Sequence, residues 1–167
     1  MYYTKMNSPL GEITITSTKD KLTGVYLKNQ RYFLHNIKEE LVRNDNLDIL
    51  KKTTSWLNDY FKGLKKDPSE LPLSLRGTPF QKLVWQELLK IPYGKTTTYK
   101  ELSIKIAKKL NKEKMSSQAI GGAVGHNPIS IIIPCHRVIG SNGSLTGYAA
   151  GIDKKKYLLN LEQQKKA

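Results

Sequence analysis

The spacing of apolar residues changes along this chain, and that change restricts it to a mixed α/β fold. Glu12-Ile13-Thr14-Ile15-Thr16 alternates with period two, and Leu22 to Leu27 is a second β-branched and aromatic run after the polar stretch Ser17 to Lys21. Period two is the repeat of a half-buried strand, so the two runs predict a hairpin. From Asp48 to Phe61 the spacing becomes helical, with Ile49, Leu50, Thr53, Trp56, Leu57, Tyr60 and Phe61 on one side and Gly63 as a stop. A small sheet covered by one amphipathic helix follows.

Lys65 to Gly77, with Pro68 and Pro72, keeps no period and reads as a connection. Beyond it the helical signals are dense. Thr78-Pro79-Phe80-Gln81 carries a cap, a first-turn proline and the reciprocal glutamine of a capping box, predicting a helix to Lys90. Pro92-Tyr93-Gly94 breaks it. Thr98 and Glu101 form a second capping-box pattern ahead of Leu102, Ile106 and Leu110, and Ser116 caps a third segment that buries Ala119, Ile120, Ala123 and Val124. Its other side is Ser117, Gln118, Gly121 and Gly125, small and uncharged. Glycine weakens a helix, so Gly121-Gly122 implies close approach by another group, and the last two helices resemble a helix-turn-helix. The expected architecture is a sheet-plus-helix domain, residues 1–77, packed on a mostly helical domain, residues 78–167, that carries this motif.

The net charge of +14 is uneven: residues 1–75 hold 12 Lys/Arg against 9 Asp/Glu, whereas residues 76–167 hold 16 against 5. A basic surface of this kind attracts a polyanion such as nucleic acid, although a lysine-rich face also serves solubility alone. No apolar run is long enough to cross a bilayer, and Met1 to Thr16 lacks the apolar core of a signal peptide, so a cytoplasmic protein is expected. The one cysteine, Cys135, can form neither an internal disulfide nor a cysteine-based metal cluster.

Ile129 to Ile133 is a nearly continuous β-branched run, which predicts a buried strand ending at Pro134-Cys135-His136-Arg137. Thiolate is the nucleophilic form of cysteine, and His136 and Arg137 are nearby sources of a base and of positive charge. A lone buried cysteine can equally be a small hydrophobe, and in an extended segment His136 would face away from it.

Ile133-Pro134-Cys135-His136-Arg137-Val138-Ile139 resembles the active-site signature of the O6-alkylguanine-DNA alkyltransferases. The likeness includes Thr98-Tyr99 and Glu101-Leu102, Ala119-Ile120-Gly121-Gly122-Ala123 with Asn127-Pro128, Gly147-Tyr148, and Leu158-Leu159-Asn160-Leu161-Glu162, spanning about residues 78 to 162. The resemblance implies direct-reversal DNA repair. An alkyl group would pass irreversibly from guanine O6 in duplex DNA to Cys135, with His136 as base through a water and Glu162 holding His136. It implies that Asn127 braces the cysteine segment, that Tyr99 assists departure of guanine, and that Val138, Tyr148 and Ala149 line the base pocket. Ser117, Gln118, Gly121, Gly122 and Arg137 would meet DNA, in the minor groove. The lesion must leave the stack to be reached. No cofactor or metal is expected, since the cysteine ligands of the zinc site of some relatives are missing, and the chain is expected to act as a monomer. Gln118 stands where the family usually has an arginine that fills the gap left by the extruded base, and it lacks that residue's charge. An alternative is a relative that only marks alkylated DNA, against which Cys135 argues; a cysteine hydrolase or redox protein would not need the glycine-bearing helix.

Overall fold

In the computed structural model, which describes residues 1–145 and 147–164, the predicted hairpin is strand β2 (Gly11–Ser17) paired antiparallel with β3 (Leu22–Leu27), Ile13 facing Leu27 and Ile15 facing Val25. Strand β1 (Tyr2–Ser8) joins β2, and the short β4 (Val42–Arg43) adds in parallel, giving the order β3-β2-β1-β4. β1 carries no alternating apolar signal, because only Thr4 and Met6 in it are buried. Helix α1 (Asp48–Phe61) lays Ile49, Leu50, Thr53, Trp56, Leu57 and Tyr60 against this sheet, on the predicted face.

β3 is buried along its whole length, which an edge strand would not be if its outer side met water. Two segments from elsewhere cover it. The Leu22 N–H donates to the Pro72 carbonyl (2.8 Å) and the Ser74 N–H to the Leu22 carbonyl (2.8 Å). The Val25 N–H donates to the Pro128 carbonyl (2.9 Å), and the Ser130 N–H to the Val25 carbonyl (3.0 Å). The sheet edge is thereby closed by the connection and by the cysteine-bearing half, which removes a pairing hazard and couples the two halves.

The second half contains α2 (Pro79–Leu88), α3 (Tyr99–Lys109), α4 (Ser117–Gly125) and α5 (Ile152–Gln163), with β5 (Thr97–Thr98) parallel to β6 (Val138–Ile139). The Thr78–Gln81 capping box is complete, at 3.1 and 3.0 Å. α2 stops at Leu88 rather than Lys90: the chain tightens, with the Lys90 N–H on the Glu87 carbonyl and the Ile91 N–H on the Leu88 carbonyl, because the residue before Pro92 disfavours helix. Thr98 caps α3, but the Glu101 carboxylate accepts from the Thr97 hydroxyl, so only half of the second box is built. Leu102 and Ile106 are buried, whereas Leu110 is the exposed C-cap. α3 and α4 pack on each other and on α2, and the Trp85 indole N–H donates to the Ala123 carbonyl at 2.8 Å. No helix among the described residues is long and apolar enough to cross a membrane.

The predicted strand at Ile129–Ile133 is instead a buried turn. The Ile133 N–H donates to the Ile129 carbonyl (3.0 Å), the Ile132 N–H to the Ser130 carbonyl (2.8 Å), and Ile131 adopts φ +73°. A short apolar run specifies burial and not extension. Left-handed backbone costs a β-branched residue about 1–2 kcal/mol, and the packing of Ile131, Ile132 and Ile133, all buried, holds it there.

Candidate active site and nucleic-acid interface

Asn127 sets the shape of that turn. Lying just past α4, its amide donates to the Ile133 carbonyl (2.8 Å), and its side-chain oxygen accepts from the Ile129 N–H (3.0 Å). The next residues, Cys135–Arg137, form a single 3-10 turn. Alternation therefore does not apply here, and all three side chains are buried.

Glu162 of α5 is the centre of the site. Its Oε2 accepts from His136 Nε2 (2.6 Å), from the Tyr60 hydroxyl (2.6 Å) and from Arg137 Nη2 (3.1 Å); its Oε1 accepts from Arg137 Nε (2.8 Å) and the Gly94 N–H (3.2 Å). Burial opposes ionisation of this carboxyl, but the hydrogen bonds from His136 and Arg137 and the charge of Arg137 outweigh it and hold the group well below the usual carboxylate range. A carboxylate without a proton only accepts, so the proton of the shared bond resides on His136 Nε2. His136 Nδ1 is left as the unprotonated nitrogen, buried and without a hydrogen-bond partner among the described residues. Burial also pulls His136 below the ordinary imidazole value, against the attraction of Glu162.

Burial pushes the Cys135 thiol up, while the Asn127 amide, the Lys155 charge and the backbone N–H groups of the turn pull the other way. Lys155 is fully buried on α5, and its ammonium donates to the Val138 carbonyl (2.6 Å) and lies 5.8 Å from the centre of the Tyr99 ring. Burial and proximity to Cys135 raise Tyr99 to about 12 and lift Tyr148 well above its ordinary value. Both tyrosines line a cleft of about 800 Å3 whose wall includes Ser117, Gly121, Gly122 and Gly125 of α4, together with Ala149. Gln118 is exposed on the same helix. A Cβ added at Gly121, Gly122 or Gly125 would meet nothing within 4 Å, so the groove over α4 is open. Gly147 is different: its φ is +84° and a Cβ there would sit 3.0 Å from the Tyr99 hydroxyl, so only glycine fits.

Cys135, His136, Asn127 and Glu162 thus meet behind the cleft that Tyr99, Tyr148 and Ala149 line. Arg137 is a correction. Expected at DNA, it is 6% exposed, forked on Glu162 and bound to the Ile91 carbonyl (2.7 Å), so its charge is spent inside the protein. Val138 and Ala149 carbonyls already accept from Lys155 and from the Arg31 N–H. Tyr60 and Lys155 carry no sequence signal of their own; Tyr60 looks like one more residue on the apolar face of α1, 102 residues from its carboxylate.

Two family models account for nearly the whole chain: the ribonuclease-like domain of 6-O-methylguanine DNA methyltransferase matches residues 1–75, and the DNA binding domain of the same protein matches residues 79–164. The chain is 42% identical to the methylated-DNA--protein-cysteine methyltransferase of Methanosarcina barkeri, covering 98% of both chains. It is 40% identical to that of Haemophilus influenzae, covering 98% of this chain and 87% of the relative. Among solved structures, Mycobacterium tuberculosis OGT in complex with DNA superposes with a TM-score of 0.85 at 38% identity, covering 98% of this chain and 93% of that one.

Proposed function

The chain belongs to the 6-O-methylguanine DNA methyltransferase family, and we propose that it repairs DNA by taking the alkyl group of an extruded O6-alkylguanine onto Cys135. The observation that carries this reading is His136 Nδ1, unprotonated and without a partner among the described residues, fixed in that tautomer by anionic Glu162 next in the chain to a buried thiol. The Cys135 proton passes to Nδ1 through a water. Sulfur then attacks the alkyl carbon in line, the carbon–O6 bond breaks, and its electron pair stays with guanine. Tyr99 donates a hydrogen bond to the departing base, which finally carries the proton that the thiol lost. The product is a thioether, and no step returns it to thiol, so each chain acts once.

DNA is the partner, and an open, glycine-lined α4 suits approach of a duplex groove. Ser117, Gln118, Gly121 and Gly122 are read as its contacts, and Tyr148 and Ala149, with the backbone near Val138, as the guanine pocket. The chain is read as a monomer working where DNA is, in the cytoplasm. Residues 1–77 act as a domain that supplies Tyr60 and covers the cysteine turn; residues 78–167 act as the DNA-binding and acceptor domain.

The test is intact mass and peptide mapping after incubation with a duplex bearing one O6-methylguanine. A methyl-sized gain confined to the Cys135 peptide, one per chain, is expected. Lesion binding without mass gain would instead mean a recognition protein, and repeated turnover would mean a different cysteine enzyme.

A further inference from the structure

Among the described residues, the cleft has one fixed charge in its lining, and it comes from the first half of the chain. Among the described residues around it, Arg31 is the only Lys, Arg, Asp or Glu. The α4 residues on the cleft are serine and glycines, ending at the cap residue His126. Arg31 forms no ion pair among the described residues, and its side chain is exposed, so its charge is available to a ligand.

Its position is nevertheless fixed. The Arg31 N–H donates to the Ala149 carbonyl at 2.9 Å, tying it to the loop that carries Tyr148. Its guanidinium lies 5.7 Å from the centre of the Tyr32 ring, and Tyr32 stacks on His126 with centroids 3.9 Å apart and planes 19° apart. His35 sets its edge against both rings, at 5.7 and 5.6 Å. The Nδ1 atoms of His126 and His35 are each occupied by a backbone carbonyl, at 2.7 and 2.6 Å, which orients the two rings. Asn29, Tyr32 and Leu34 all hold positive φ, at +62°, +59° and +57°. Strain of this kind persists where surrounding contacts over-determine a loop, and it clusters at ligand clamps.

We propose that Arg31 binds a DNA phosphate beside the extruded nucleotide, with the Tyr32–His126 stack as its mount on the end of α4. The inference rests on the cleft being the guanine site. A guanidinium suits phosphate because its planar fork can donate two parallel hydrogen bonds, and a contact to phosphate positions DNA without reading its sequence. The first half of the chain then takes part in binding, although the helix-turn-helix lies wholly in the second.

Binding of a lesion-bearing duplex is measured from roughly 50 to 200 mM salt, the range over which counterion release is steep. Arg31→Ala is expected to weaken binding several-fold and to lower the slope of log K against log salt by about 0.9, the loss of one phosphate contact. Arg31→Lys should restore the slope, since an ammonium still neutralises one phosphate. Lys19→Ala, at the opposite end of β3, removes equal charge and should leave the slope unchanged. An unaltered slope in Arg31→Ala, or an equal loss in Lys19→Ala, overturns the proposal. Methyl gain on wild-type Cys135, read in the same samples, keeps the two readings apart: its absence discards the guanine site, while its presence beside an unchanged Arg31→Ala slope discards only Arg31.

Discussion

Glu162 reaches His136 across 26 residues of chain at 2.6 Å, and the direction of that hydrogen bond sets which imidazole nitrogen can take a proton. The same carboxylate holds Arg137 and Tyr60, so a single side chain of α5 fixes both the tautomer and the packing of the cysteine turn. A residue with two such duties should show both when it is changed.

Glu162→Gln should disturb both. An amide can donate to Nε2, which would place the imidazole proton on Nδ1 and remove the base. Alkyl transfer should slow by about 10²- to 10⁴-fold, the usual share of general base catalysis. Arg137 would also become a buried charge without its counterion, and destabilisation of up to about 3–5 kcal/mol is expected in urea unfolding. Unchanged single-turnover kinetics in a folded variant would remove His136 from the base role.

Stability should fall on acidification in two stages. His136 is held below its ordinary 6.5 by burial despite Glu162, so the unfolded chain binds a proton there first as pH drops. The stability from keeping it neutral is complete above about 6.5 and is lost as pH falls through the lower folded value. Glu162 is depressed from 4.5 by His136 and Arg137, which outweigh its burial, and its contribution is likewise present above that value and lost below it. Denaturant midpoints should therefore decline gently below about pH 6.5 and steeply below about 4.5. A midpoint that rises between pH 6.5 and 5 would contradict the neutral state of His136.

Gly122 should show opposite effects on folding and on DNA. It is exposed in the middle of α4 with nothing within 4 Å of an added Cβ. Gly122→Ala should raise stability by about 0.5–1 kcal/mol, since glycine is the poorer helix former. Gly122→Leu should still fold but lose duplex affinity by an order of magnitude or so, a ΔΔG of about 1.4 kcal/mol. Calorimetry and anisotropy on the two variants provide the check, and undiminished DNA binding by the leucine variant would move the groove elsewhere.

Gln118→Arg should strengthen duplex binding and quicken repair. The native glutamine is exposed on α4 and uncharged, whereas arginine adds a cation and a rigid fork that can occupy the space of an extruded nucleotide. Stopped-flow transfer rates and affinities for the two proteins decide it, with no gain in either counting against a base-extruding role at this position.

Cys135 itself should be slow toward thiol reagents in the absence of DNA. It is 5% exposed, and burial pushes its thiol above the ordinary value, so little thiolate is present at neutral pH. Iodoacetamide labelling followed by mass should accelerate with rising pH and on unfolding. Rapid labelling of the folded protein at pH 7 would mean that the thiol is activated before substrate arrives.

What the sequence determined by itself was local: where the spacing of apolar residues changes from strand to helix, where Thr78, Thr98 and Ser116 start helices, and that one cysteine lies beside a histidine in a basic half. Those features depend on neighbours within a few residues, and short-range sterics and hydrogen bonding decide them. The tertiary structure alone decided what long-range contacts control. It turned the isoleucine run into a left-handed turn braced by Asn127, because burial was specified and extension was not. It withdrew Arg137 from the surface, because Glu162 and the Ile91 carbonyl offered its donors a better partner than water. It brought Tyr60 from α1, and Arg31 and Tyr32 from the loop after β3, to a site otherwise built by the second half. No spacing rule can carry that information, since a partner about a hundred residues away leaves no periodic trace in the chain.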